Sequence, residues 1–157
     1  MSSQFAINRK ATTDFLESRG YDYDTVIEED DKCLFLSQFS IPSKLSSICV
    51  FVNVTSTEIE CLGVSGLRAS KDVIQNVNEY LALVNCNLRI GKFQLDFNDG
   101  EVRFQSILPC SDSQPGIKDI KAVIMCPVVM FDRYGDGLLK CMLGHSDPKT
   151  AFEEANA

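Results

Sequence analysis

The chain has 157 residues, 45% of them hydrophobic, which is enough for one domain with a real core and too apolar for a disordered chain. Twenty-two acidic against fifteen basic side chains leave a formal charge of −7. A field of that sign repels phosphate backbones and anionic bilayers, so neither nucleic acid nor a membrane is an expected partner.

No apolar run reaches the ~20 residues of a bilayer span, and the opening MSSQFAINRK lacks the apolar centre of a signal peptide. Seven cysteines at unpatterned spacings read as free thiols in a reducing compartment. The expected location is the cytoplasm, where the sequon Asn53-Val54-Thr55 has no meaning.

In chain order, FAINRKATTDFLESRG places Phe5, Phe15 and Leu16 on one helical face, with Thr12 or Thr13 as N-cap and Gly20 as the stop. The acidic YDYDTVIEEDDK is a connection with a short strand around Val26. Then come CLFLSQFSI (33–41), closed by Pro42, SICVFVNVT (47–55) with Val50, Val52 and Val54 on one side, and TEIECLGV (57–64). These three segments predict a meander of strands. From Ser70 the period changes: Val73, Val77, Leu81 and Val84 recur at helical spacing behind a serine cap, with Asp72 in the first turn.

GKFQLDFNDGEVRFQ (91–105) alternates strictly and predicts a hairpin. A two-residue Asp99-Gly100 loop sets Phe97 against Val102, Leu95 against Phe104 and Asp96 against Arg103. A loop one residue earlier would oppose Asp96 to Glu101, and a three-residue loop would mix the faces. The sheet is then expected to have one wet face and one face under helices. After the breaker SDSQPG, residues 117–143 form a long helix, kinked at Pro127, and SDPKTAFEEA gives a short appended helix over 148–156. The whole is a single α+β domain, residues 1–157, with an antiparallel sheet of about five strands in the order α-β-β-β-α-β-β-α and one face covered by helices.

The stretch NVNEYLALVNCNLRIGKFQLDFNDGEVRFQSIL resembles the YbjN family through Asn78, Glu79, Asn87, Gly91, Phe93, Asp96, Gly100, Val102 and Arg103. MFDRYGDGLLKCMLGHSDPKTAFEEA is similar to that family's closing helix and tail. The likeness spans residues 10–155 in element order, with its specific part in 77–108, and the family includes cyanobacterial and plastid-related members. It implies a fold like that of type III secretion chaperones, which are small, acidic, often dimeric proteins that bind other polypeptides. It brings no catalytic residue, cofactor or metal ligand.

The residues offer little chemistry of their own. Cys141 and His145 stand four apart, but there is no CxxC and no second histidine to complete a zinc set or a nucleophile pair. DFNDG and DRYGDG imitate calcium loops without the bidentate Glu and read as turns. The acidic group Asp22, Asp24, Glu28, Glu29, Asp30 and Asp31 reads as a solvated loop, and GVSG (63–66) as a turn. With so little chemistry in the residues, the expectation is a non-enzymatic protein-binding module, and the resemblance implies that it is chaperone-like or regulatory. The alternative, a sensor, would hold a small ligand between sheet and helices.

AVIMCPVVMF (122–131) suggests where such a module could bind. Ile120, Ile124, Val128, Phe131, Leu138 and Met142 should face the sheet, while Ala122, Met125, Cys126, Val129 and Met130 form an apolar back. Further along, that back becomes Arg133, Asp136 and Lys140, which suits water. Either the N-terminal helix or the acidic connection covers the apolar half, or it is a contact site for a partner or a two-fold dimer.

Overall fold

A computed structural model describes residues 2–157. Four helices and six strands follow one another as α1 (Ser3–Ser18), β1 (Asp24–Glu28), β2 (Lys32–Ser40), β3 (Ser47–Thr55), β4 (Glu58–Arg68), α2 (Ile74–Asn85), β5 (Lys92–Leu95), β6 (Glu101–Pro109), α3 (Ile117–Met142) and α4 (Pro148–Ala155). The strands make one antiparallel sheet in the order β1-β2-β3-β4-β6-β5. The fold class is thus α+β, with helices on one face of the sheet. The short strand around Val26 brings the count to six.

Strict alternation in β2, β3 and β4 sends Phe35, Val50, Val52, Val54, Ile59 and Cys61 into a completely buried layer. Phe5 and Leu16 of α1 and Ile120, Ile124 and Phe131 of α3 close it from above. Asn8, buried in mid-α1, ties that helix down by donating from Nδ2 to the Thr55 carbonyl at 2.9 Å. α4 packs on α2 and α3 and forms no major contact with the sheet. No helix among the described residues is long and apolar enough to cross a membrane.

Three local expectations are corrected. Neither Thr12 nor Thr13 caps α1: the helix starts earlier, Ser2 Oγ accepts from the Phe5 N–H, and Thr12 sits buried with its hydroxyl on the Asn8 carbonyl (2.8 Å). Ser70 does not cap α2 either. Ala69 is held against the hairpin loop, its N–H on the Gly100 carbonyl at 2.8 Å, and the chain makes a separate turn through Ser70–Val73 before it winds. The uncovered face of the sheet is not uniformly wet, because Leu36, Phe51 and Leu62 are direct cross-strand neighbours there and only half-buried.

The hairpin register also differs. Leu95 lies opposite Val102 and Phe93 opposite Phe104, so the pairing is slipped by two residues from the expected one. The slip keeps the apolar face intact but ejects Phe97, which is 53% exposed. Asp96 comes opposite Glu101, its N–H on the Glu101 carbonyl at 2.9 Å. Two carboxylates explain the longer loop: Asp96 accepts from the Asn98 N–H (2.8 Å) and Asp99 from the Glu101 N–H (2.9 Å). Gly100, at φ +75°, closes the turn in a conformation that suits glycine. The like-charge pair that weighed against this register is relieved by Arg103, 3.4 Å from Glu101 and 3.6 Å from Asp96. Loop hydrogen bonding decides the register here.

β5 is an edge strand, and its outward backbone groups are partly occupied. Asn85, the last residue of α2, donates to the Phe93 carbonyl (2.9 Å) and accepts from the Phe93 N–H (2.8 Å). One side-chain amide thus does what a neighbouring strand would do, and blunts the edge against pairing with another chain.

Candidate protein-docking site

α3 carries a proline in its interior, Pro127, without ending there, and the neighbouring strand shows why. Pro127 has no N–H, so the Val123 carbonyl loses its helical partner. Ser106 of β6, 1% exposed, supplies one by donating its hydroxyl to that carbonyl at 2.7 Å. The pyrrolidine ring lies on Gly63 of β4, where a Cβ would sit 2.6 Å from the Pro127 Cβ. Proline and glycine thus bring the helix close to the sheet. α3 runs unbroken from Ile117 to Met142.

That seating fixes which residues face inward. The buried stripe is Ile120, Val123, Ile124, Pro127, Phe131, Tyr134, Leu138 and Cys141. Val128 and Met142, expected in it, are only half-buried, because the contact line follows Pro127 and Cys141 instead. On the opposite side Ala122, Met125, Cys126, Val129 and Met130 line one shallow groove of about 350 Å³, together with Lys118 and Lys121. Val129 is 53% exposed and Ala122 is open to solvent. Neither α1 nor the acidic connection covers them. α1 lies instead beside Ile117 and Ile120, where Phe15 and Pro115 share a smaller cleft. The Cys126 thiol is half-buried beside the α2–β5 loop, 3.7 Å from the Ile90 carbonyl, and burial pushes its pKa up.

The C-terminal half of α3 is finished differently. Asp132 accepts from the Ser43 N–H at 3.0 Å, and Asp136 accepts from the Ser43 hydroxyl (2.9 Å) and the Lys44 N–H (2.7 Å). Both carboxylates therefore clamp the β2–β3 loop. Gly135 lets that loop approach, since a Cβ there would stand 2.6 Å from Leu45 Cδ1 and 2.7 Å from Ser43 Oγ. Gly137 leaves room for Tyr80, whose hydroxyl donates to the Tyr134 carbonyl at 2.8 Å. Lys140 pairs with Glu154 of α4, and Arg133 donates to Asn156 at 3.1 Å. Asp136 and Lys140 are thus bound within the chain, contrary to the expectation that they face water. DRYGDG is a docking motif of the helix, with no calcium-loop geometry.

Other candidate groups do not converge. Cys141 is fully buried, with its thiol pushed up to about 11 by desolvation, while His145 lies exposed beyond the helix end. No cluster of three or more metal-ligating side chains occurs among the described residues. Within the acidic connection Glu28 takes a bidentate contact from Arg9 (2.9 and 3.1 Å), and Glu29, Asp30 and Asp31 are exposed. The space between sheet and helices is filled by Phe35, Phe104, Phe131 and Ile124, all without solvent exposure.

Lys118 and Lys121 belong to the groove but were not singled out by hydrophobic patterning, although their spacing to Ala122 and Met125 carried the signal. Ile90, whose carbonyl meets Cys126 beside the groove, comes from a distant loop and has no such signal. No protein-family model, curated protein or solved structure matches the chain.

Proposed function

We propose that this chain is a non-enzymatic protein-binding module, chaperone-like or regulatory, that engages another protein through the exposed face of the first half of α3. The observation that carries this reading is the Ala122–Met130 groove. It is largely apolar and contiguous, it is held on a rigid helix, and among the described residues nothing covers Ala122 and Val129. Contiguous exposed apolar surface is costly to keep in water and marks contact sites. Two methionines give it an adaptable lining, as on surfaces that accept more than one sequence. The resemblance to YbjN proteins, and through them to secretion chaperones, points the same way. The sensor reading is weaker, because aromatic side chains fill the space it needs.

The test is capture by the wild-type chain and by Val129→Asp, followed by mass spectrometry. A partner retained by the wild type and lost by the folded variant supports the reading; identical captures would refute it. Light scattering on both proteins reports whether a two-fold dimer uses the same face.

A further inference from the structure

The groove's chemistry is more specific than its hydrophobicity. Its lining holds two lysines, Lys118 and Lys121, and no carboxylate. The nearby acids of α3 are directed elsewhere: Asp119 stands 3.2 Å from a Cβ position at Gly116 and lines a cleft with Cys110, while Asp132 and Asp136 hold the Ser43 loop. One turn beyond Val129, Arg133 is exposed, with its guanidinium turned toward Asn156 at 3.1 Å and carrying no ion pair. Arg89 is exposed next to Ile90, whose carbonyl meets Cys126. None of Arg89, Lys118, Lys121 and Arg133 enters a salt bridge among the described residues. In a chain of formal charge −7, the apolar strip is therefore flanked by two unneutralised lysines.

We infer that the occupant of this groove is an acidic amphipathic segment of a different polypeptide; this rests on the docking function proposed above. From Lys118 to Val129 is three turns, about 16 Å along the axis, which sets the length of the segment. Its apolar side chains meet Ala122, Met125 and Val129, and its carboxylates meet the lysines. A second copy of this chain fits poorly. A two-fold axis through the groove sets Lys118 and Lys121 of one helix beside Arg133 of the other if the helices run antiparallel, and lysine against lysine if parallel. At physiological salt the Debye length is ~8 Å. The distant carboxylates of the chain are then screened, and the adjacent lysines govern the encounter.

Two fluorescein-labelled peptides with the same leucine spacing, one with glutamate and one with lysine at every polar position, test this by fluorescence anisotropy. The wild type should bind the glutamate peptide about tenfold tighter than the lysine peptide. Lys118→Glu/Lys121→Glu should reverse that preference, and Val129→Asp should lose both peptides. Circular dichroism checks folding, and Lys118→Gln/Lys121→Gln, which should abolish the preference, serves if the reversal variant does not fold. Equal binding of both peptides, or preference for the lysine peptide, with Val129→Asp still defective, would overturn the acidic partner and leave the docking site standing. Binding of neither peptide, or binding untouched by Val129→Asp, would remove the docking site and the inference together. A dimer in light scattering that Val129→Asp dissolves would make the occupant a second copy and overturn the inference.

Discussion

The two halves of α3 belong to one unbroken helix and share one buried stripe, yet their outer sides are treated in opposite ways. From Phe131 onward nearly every outward polar group has a partner inside the chain: Asp132 and Asp136 on the Ser43 loop, Arg133 on Asn156, Lys140 on Glu154. From Lys118 to Met130 the outer side is a groove of apolar residues and two lysines, in which Ala122 and Val129 are left open to solvent. The first arrangement contributes to folding stability through hydrogen bonds and close packing. The second contributes little to it, since exposed residues away from such features change stability by less than about 0.5 kcal/mol. Folding alone accounts for the sequence of the C-terminal half. It does not account for the exposed Val129 and its open neighbour Ala122.

Glycine and alanine swaps give the sharpest contrast. In an exposed helix Gly→Ala gains about 1 kcal/mol. Gly137→Ala should instead destabilise by about 2–3 kcal/mol in urea unfolding, because the new methyl meets the buried Tyr80 ring, 2.8 Å from Cζ. Ala122→Gly, on the uncovered half, should cost only about 1 kcal/mol, the ordinary helix-propensity difference. A stabilising Gly137→Ala would mean that Tyr80 does not pack there.

Asp136→Ala removes the acceptor for both Ser43 Oγ and the Lys44 N–H. A loss of about 2 kcal/mol is expected, together with faster protease cutting within residues 42–46. Resistance equal to wild type would show that the loop holds itself.

Ser106→Ala leaves the Val123 carbonyl without a partner and should cost about 1–2 kcal/mol. Pro127→Ala restores an N–H to that carbonyl. The serine deletion should therefore cost about 1 kcal/mol less in the alanine background, a coupling readable from a double-mutant cycle. Additive effects would separate the serine from the proline.

Much of this architecture was legible in the sequence, and the parts that were not have a common cause. Alternation in residues 33–64 and the 3.6 period after Val73 placed the meander and α2, since burial on one face leaves a periodic record. The outer face of α3 over Ala122–Met130 was visible for the same reason. Contacts made by polar groups between distant segments leave no period. Asp136 on Ser43, Ser106 on Val123 and Asn85 on Phe93 link residues far apart in sequence or of unremarkable type. The hairpin register failed on this point. Face matching and charge pairing pointed to Asp99-Gly100, but the bonds of Asp96 and Asp99 to the loop backbone favoured the longer turn, and Arg103 reached both carboxylates. The Thr12 and Ser70 caps failed likewise, because a hydroxyl near a helix start has more than one local use.

The central claim, that the first half of α3 is kept apolar for binding and not for folding, is tested most directly by Val129→Asp measured in two ways on the same sample. Its unfolding free energy in urea should lie within about 0.5 kcal/mol of wild type, while the glutamate peptide should no longer bind. A variant destabilised by about 2 kcal/mol or more, with peptide binding unchanged, would contradict the account, because Val129 would then be serving the fold.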